Sequence, residues 1–196
     1  MVKAATDHRE RLITGLIQVL ADKPYREVTL TDIAAAARVS RRSFYQHFAN
    51  KDECLLALAQ ETSTEILRVM IASVSAATCW NEVVENVTDA YLGFIIRRPA
   101  VMRALYIETP AVGIEGLKMR RTVSTVMATF LQQQVSHYKA RGEIISDIDQ
   151  PSALALIAGV NELILHYFMD EKVSQLMELA PATGYLIQRY MSAPSD

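Results

Sequence analysis

Apolar residues recur at helical spacing along nearly the whole chain. In residues 7–22, Leu12, Ile13, Leu16, Ile17, Val19 and Leu20 keep that period. Asp7 stands where an N-cap belongs, so the spacing predicts a helix that Pro24 ends. Two short helices follow over 30–37 and 41–47, then a long one from about 51 to 77. Trp80-Asn81 punctuates the pattern, and Asn81 is placed to cap a helix running to about Arg97. Pro99 opens the next, over about 99–108. Thr109-Pro110, Gly113 and Gly116 predict a loop. A helix over about 117–141 ends at Gly142, with Lys139 and Arg141 in the last turn, where cations suit the dipole. Asp149 with Pro151 starts another, to about Met169. The last is expected from Ser174 to about Met191, kinked or late in starting because of Pro181 and Gly184. Glu143-Ile144-Ile145-Ser146 is too short to count as strand evidence. The expectation is an all-α chain of about nine helices.

Composition narrows the class. The chain has 196 residues, of which 51% are hydrophobic and 21% charged, with a net charge of −2. That is too apolar for a disordered chain, and long enough to bury a core without disulfides or metal. Cys54 and Cys79 lack C-x-x-C spacing, which points to a reducing compartment and away from a zinc site. Met1 to Arg11 has no apolar signal core, and the longest apolar run, Ala153 to Val160, falls far short of a spanning helix. A soluble, cytoplasmic, globular protein with no membrane partner is expected. Its charge is segregated. Residues 1–52 hold nine Lys/Arg and six Asp/Glu, leaving 11 basic and 16 acidic residues in the remainder. A basic head on an acidic body is drawn to polyanions by the head alone.

Residues 29–53 read as three capped helices in succession. Thr29-Leu30-Thr31-Asp32 has the capping-box form. Ser40 precedes Arg41-Arg42-Ser43-Phe44-Tyr45-Gln46-His47, and Asn50-Lys51-Asp52-Glu53 opens the long helix. Ile33 and Ala37 make one apolar stripe, and Ala34 to Ala36 permit close helix approach. Phe44 and Phe48, at i and i+4, point inward together. Arg41, Arg42, Ser43, Tyr45, Gln46 and His47 are left for the outer face of a short helix. Helix, tight turn and a second helix with a basic outer face form a helix-turn-helix, whose second helix enters the DNA major groove. Arginine can grip guanine O6 and N7, and Gln46 can pair with adenine. Thr29, Ser43, Tyr45, His47 and Lys51 can bond phosphate oxygens, and the helix starting near Asn50 aims its N–H groups at the backbone.

From Thr29-Leu30-Thr31-Asp32-Ile33-Ala34 through Val39-Ser40-Arg41-Arg42-Ser43-Phe44-Tyr45-Gln46-His47-Phe48 to Asn50-Lys51-Asp52, the chain resembles the DNA-binding domain of TetR-family transcriptional regulators. Their pattern is roughly T-x-x-x-I-A-x-x-A-G-V-S-x-x-x-[LF]-Y-x-[HY]-F-x-x-K. The clear match covers about residues 8–60, and the rest agrees in length and helical layout. The resemblance implies a helix-turn-helix DNA-binding domain over 1–52 and a helical ligand-binding and dimerisation domain over 53–196. It implies that Thr29 caps the second helix and touches phosphate. Thr31, Arg41, Arg42, Ser43 and Gln46 would face bases or the groove edge, while Tyr45, His47 and Lys51 hold the backbone. Arg38 departs from the pattern, which has glycine in the turn; a left-handed residue there costs on the order of 1 kcal/mol.

The body should then carry a ligand site and a dimer interface. Residues 153–169 are apolar nearly all round, as in a helix buried on both sides. One side can face the chain's own core and the other a second subunit, and the resemblance implies a homodimer through the last two helices, about 150–191. Tyr91, Phe94, Met102, Tyr106, Met127, Phe130 and Gln134 lie on helices expected to line a cavity for a small-molecule effector. Asn161, Glu162 and His166 sit inside the most apolar helix, where a buried carboxylate needs a partner. An ion pair to an arginine, a cap on another helix's end, or contact with a cationic or hydrogen-bonding ligand meets that need. Arg97, Arg98 and Arg103 leave the ligand's charge open. A helical-bundle enzyme would need paired Glu-x-x-His motifs for two irons, and only Glu162-x-x-x-His166 occurs. There is no H-E-x-x-H, G-x-S-x-G, P-loop or dinucleotide fingerprint, so no catalytic residue, metal ligand or cofactor is assigned. A ligand carrier without DNA readout is the other alternative. The favoured expectation is a homodimeric regulator, most simply a repressor, that leaves a palindromic operator on double-stranded DNA when an effector binds.

Overall fold

The computed structural model describes residues 2–192, with side chains described for residues 8–191. In order come α1 (Val2–Asp22), a 3-10 turn (Tyr25–Glu27), α2 (Leu30–Ala36), α3 (Arg41–Tyr45), α4 (Lys51–Val74) and α5 (Trp80–Arg97). Then follow α6 (Pro99–Arg103), a π-helical turn (Ala104–Glu108), α7 (Thr109–Ala111), α8 (Ile114–Ala140), α9 (Gln150–Met169), a 3-10 segment (Val173–Leu179) and α10 (Ala180–Ser192). Among the described residues nine α-helices have five or more residues and no strand occurs, so the fold is all-α. The chain forms two compact units, residues 1–63 with 98–120 and residues 64–97 with 121–196.

The first unit is organised by its helix ends. Thr29 accepts from the Asp32 N–H at 3.2 Å, while Asp32 Oδ2 accepts from the Thr29 N–H and hydroxyl, both at 2.7 Å. Lys23 Nζ joins that carboxylate at 2.6 Å. Ser40 Oγ accepts from the Ser43 N–H at 3.0 Å, opening α3. Asn50 Oδ1 accepts from the Glu53 N–H at 2.9 Å, and Glu53 Oε2 reaches back to the Ala49 N–H at 2.7 Å. All three caps stand where the sequence put them. Asp7 does not cap α1, whose helical backbone already runs from Val2; its side chain lies outside the described ones.

The turn between α2 and α3 is a Schellman closure. The Arg38 N–H donates to the Ala35 carbonyl and the Val39 N–H to the Ala34 carbonyl, both at 3.0 Å. Arg38 takes the left-handed position with φ 54°, so the expected strain is present. Arg11, reaching over from α1, donates to the Ala37 carbonyl at 2.6 Å and the Arg38 carbonyl at 2.9 Å. A cation at this helix C-terminus satisfies orphan carbonyls and suits the dipole. One turn along α1, Gly15 sits against α2 so closely that a Cβ would stand 2.9 Å from Ile33 O and from Ala37 N. Beneath lies a core that includes Leu12, Leu16, Ile33, Phe44, Leu55 and Leu58.

Some expected element boundaries fail for local reasons. The loop predicted over 109–116 is mostly helical: Thr109-Pro110 continues from the π turn, and α8 already includes Gly116. Gly113, at φ 98°, makes the break by itself. Asn81 does not cap α5, because it already lies inside the helix and the Trp80 N–H donates to Glu143 Oε2 at 2.7 Å, while Glu82 Oε2 takes the Thr78 N–H at 2.7 Å and hydroxyl at 2.8 Å. The helix starts at Trp80, and α4 ends at Val74 rather than 77.

In the second unit, α5 packs on α10 and on the 3-10 segment, which in turn meets α9. Its core includes Trp80, Val84, Leu131, Tyr138, Ile148 and Met191. Asp149 caps α9 by accepting from the Ser152 N–H at 2.8 Å, and α10 starts late, at Ala180, as Pro181 requires. Only one side of α9 is buried, through Ala153, Val160, Ile164 and Phe168. The other exposes Ala155, Ala158, Gly159, Leu163 and Met169. Over its 20 residues this helix is long and apolar enough to cross a bilayer, with a mean hydropathy of 1.4; counting only unbroken apolar runs hides that.

Two measurements follow. Arg38→Gly removes the left-handed strain and should raise stability by up to about 1 kcal/mol in denaturant unfolding; a loss would mean that the Arg38 side chain contributes more than the strain costs. The Lys23 and Thr29 hydrogen bonds hold the Asp32 carboxyl at about 2, well below the usual carboxylate range. A depressed folded pKa makes the cap's contribution complete above the unfolded value and lost as pH falls through about 2. NMR titration of Asp32 should place its midpoint near 2; an ordinary midpoint near 4 would show that the box is open in solution.

Candidate nucleic-acid interface and ligand cavities

The caps and the turn decide which α3 side chains face outward. Arg41, Arg42, Tyr45 and Gln46 are exposed, Tyr45 at 57%, and Thr29, Thr31 and Arg38 are exposed beside them. Phe44 and Phe48 are buried with ring centroids 5.7 Å apart, so the inward pair is as the spacing predicts. Tyr45 stands edge-on to Phe44 at 6.0 Å, which fixes its ring while leaving its hydroxyl end outward.

Ser43 corrects the expected outer face. It is 9% exposed, and its Oγ lies 3.1 Å from His8 Nδ1 on α1. On a five-residue helix the positions one before and one after Phe44 diverge by about 100° each, and Ser43 falls on the α1 side. His47 is half-buried with its ring edge-on to His8 at 6.4 Å. The Thr29 hydroxyl donates its hydrogen bond to Asp32 Oδ2. Lys51 Nζ donates to the Tyr25 carbonyl at 3.1 Å and the Val28 carbonyl at 2.9 Å and lies 4.5 Å from the Tyr25 ring centroid. Tyr25 in turn donates to Asp52 at 2.6 Å, and burial together with that carboxylate pushes its phenol pKa far up. Lys51 therefore fastens the segment before α2 to the start of α4, which leaves one of its three donors for another partner.

Sequence reasoning did not single out Arg11 and His8 for these roles. Arg11 and Gly15 are four apart on α1, hence on one face, and that spacing was the available signal. Cys54 is buried, and burial pushes its thiol up to about 12, which removes it as a nucleophile.

The residues expected around one cavity fall in several places. Tyr91, Met127 and Asn161 meet at a small cavity of about 60 Å³ in the second unit, where Tyr91 donates to Asn161 Oδ1 at 2.9 Å. Phe130 and Gln134 line a separate open groove of about 450 Å³, together with Leu67, Ile71 and Val126. Phe94 is buried at 2% and lines neither. Met102 and Tyr106 belong to the first unit. Glu162 and His166 overturn the expected buried carboxylate: their side chains are 58% and 65% exposed and lie 3.5 Å apart across one helical turn. Successive residues on a helix diverge by about 100°, so Asn161 faces the cavity while Glu162 faces out. No cluster of three or more His, Cys, Asp or Glu suited to a metal occurs among the described residues.

Residues 12–58 match the family model described as bacterial regulatory proteins, tetR family. An uncharacterized HTH-type transcriptional regulator, YxbF of Bacillus subtilis, is 38% identical over 60 residues, which are 30% of this chain and 16% of that protein. A second uncharacterized HTH-type transcriptional regulator, from Haemophilus influenzae, is 26% identical over 92 residues, 47% of this chain and 45% of the relative. The chain thus spans less than half the length of these two relatives. In fold, the chain is similar to the fatty acid degradation regulator FadR from Bacillus halodurans, with a TM-score of 0.79 at 18% identity over 92% of this chain and 94% of that one. It is similar also to FadR from Bacillus subtilis in complex with stearoyl-CoA, with a TM-score of 0.77 at 18% identity over 91% and 96%. The capped helix-turn-helix thus matches the tetR family of bacterial regulatory proteins in sequence over residues 12–58, and the chain as a whole is similar to the FadR regulators in fold.

Proposed function

We propose that the chain is a homodimeric transcriptional repressor that holds a palindromic operator and releases it when a small effector occupies the helical body. The observation that carries this reading is the outer face of α3. Arg41, Arg42, Tyr45 and Gln46 are all exposed on a helix whose inner side is locked by Phe44 and Phe48. Arg41, Arg42 and Gln46, with Thr31 at the groove edge, read bases; Tyr45, His47 and the remaining donor of Lys51 hold phosphates, whereas Thr29, whose N–H and hydroxyl both donate to Asp32, caps α2 without touching phosphate. Ser43 positions α3 through His8 instead of touching DNA. Residues 1–52 are the reading head, and the effector and dimer functions lie within 53–196, of which 98–120 fold with the first unit.

Dimerisation is supported by the uncovered apolar side of the last two helices. Leu163, Met169, Tyr185, Leu186 and Tyr190 are 36%, 69%, 65%, 47% and 38% exposed. Exposed apolar side chains of this size are costly in water, and a second copy related by a two-fold axis would cover them. The exposed Glu162–His166 pair sits on that same outer side. A largely apolar effector is supported by the cavity at Tyr91, Met127 and Asn161, and by the stearoyl-CoA bound to a protein of the same fold. Regulation is a shift of population: the effector binds the arrangement that cannot hold DNA better than the one that can. The element that carries the shift is α4, which begins beside the reading head at Lys51 and ends at Val74 in the second unit.

Two variants test this. Arg42→Ala should weaken binding to the preferred duplex by about 1–3 kcal/mol and relax its sequence preference at one position; an equal loss on scrambled DNA would reduce Arg42 to a phosphate contact. Leu163→Glu should sediment as a folded monomer and bind a palindrome about 100-fold more weakly, because the two-headed attachment is gone. A dimer that persists in this variant would move the interface elsewhere.

A further inference from the structure

A residue that lines the small cavity of the second unit carries a buried hydroxyl without a partner. Thr183, on α10, is 4% exposed, and its Oγ1 is buried with no hydrogen-bond partner. The residue lines the 60 Å³ cavity, with the Tyr91–Asn161 pair at another wall. A threonine in a helix ordinarily turns its hydroxyl back to a carbonyl one turn earlier; this one does not. A buried hydroxyl stripped of water and left unpaired is a worse choice than valine, which has the same shape and no polar atom. Folding alone therefore gives no reason for a hydroxyl at this position, and a bound molecule does.

The rest of the lining says what kind of molecule. Every side chain around the cavity is uncharged, and most are aliphatic or methionine. A carboxylate, phosphate or ammonium entering it would be desolvated without a counter-charge. A volume of about 60 Å³ takes the oxygen-bearing end of a longer molecule. Met70 and Met127 border the space, and their unbranched thioethers re-pack readily, so the cavity can widen around an apolar body. A hydroxyl both donates and accepts, which suits either an alcohol or a carbonyl.

We propose that Thr183 Oγ1 is the hydrogen-bonding contact for an uncharged hydroxyl or carbonyl group of an otherwise apolar ligand, and that this cavity selects neutral ligands over charged ones of the same length. The proposal rests on reading the body as the effector-binding part. It assigns to α10 the polar contact that decides ligand class.

The test uses the full chain with four probes of one chain length: 1-octanol, 2-octanone, octanoate and octylamine. The two neutral probes should raise the thermal midpoint by about 3 °C, and the two charged ones should leave it unchanged. Thr183→Val should fold, with an unliganded midpoint at or above the parent's, and should lose most of the gain from the neutral probes. Thr183→Ser, which keeps the hydroxyl, should retain part of it. Equal shifts with charged probes, no shift with any probe, or a full shift retained in Thr183→Val would overturn the assignment. So would failure of Thr183→Val to fold while Thr183→Ser folds normally, since the hydroxyl would then be a structural bond. Neutral-probe binding that depends on Thr183 but leaves affinity for DNA unchanged would uphold the site and remove it from regulation.

Discussion

The close approach of α1 to α2 at Gly15 is the constraint on which the reading head depends. With no Cβ at this position, the backbone of α1 comes against Ile33 O and Ala37 N at a distance that any side chain would forbid. That approach brings Arg11 within reach of the Ala37 and Arg38 carbonyls. The guanidinium supplies donors at the one place where the chain must reverse through a left-handed arginine. Ser40 can then cap α3 from a fixed starting point, and Phe44 fills the core below. The outward direction of Arg41, Arg42 and Gln46 is the result of this sequence of contacts. A head built this way positions its reading helix by steric fit and capping, with few long-range charges to be screened by salt.

The second half of the chain works by a different balance. Its helices are also cleanly ended, with Asp149 at the start of α9 and Glu171 in the left-handed position, φ 59°, at its finish. Its packing, however, leaves two kinds of unfinished surface within one chain. One is the apolar outer side of α9 and α10, which asks for a large partner. The other is the small cavity with an unpaired hydroxyl, which asks for a small one. The two share α9: Asn161 looks into the cavity and Glu162 looks out. A change at the cavity wall therefore acts on the same helix that carries the outer apolar row.

Much of the fold was legible because helix ends are chemically marked. Thr29, Ser40, Asn50 and Asp149 each announce a start, and Gly142, at φ 77°, marks a stop. The reading failed where a distant side chain supplied the cap, as Glu143 takes the Trp80 N–H, and where a helix continued through Pro110, which the first turn tolerates. For the functional residues, the exposed arginines and Gln46 followed from the inward Phe44 and Phe48. Ser43 did not, because a five-residue helix packed against a third helix has less open surface than an isolated one. The cavity residues were the least legible. Aromatic and methionine side chains at helical spacing serve core and cavity alike, and nothing in the chain's order says that Met102 and Tyr106 fold with the head while Tyr91 folds with the body. Glu162 was misplaced by reading a helix as apolar all round, when burial follows the 3.6-residue period even in such a helix.

The measurement that bears most directly on the reading head is selection of randomised duplex DNA by the purified full-length protein, followed by a salt titration on the enriched sequence. The expected result is a palindrome with half-sites separated by whole helical turns, bound with an affinity that falls steeply as salt rises. A pool that stays random after repeated rounds, with the protein folded and dimeric, would contradict it. The exposed face of α3 would then be a solvated surface of a protein that reads no DNA.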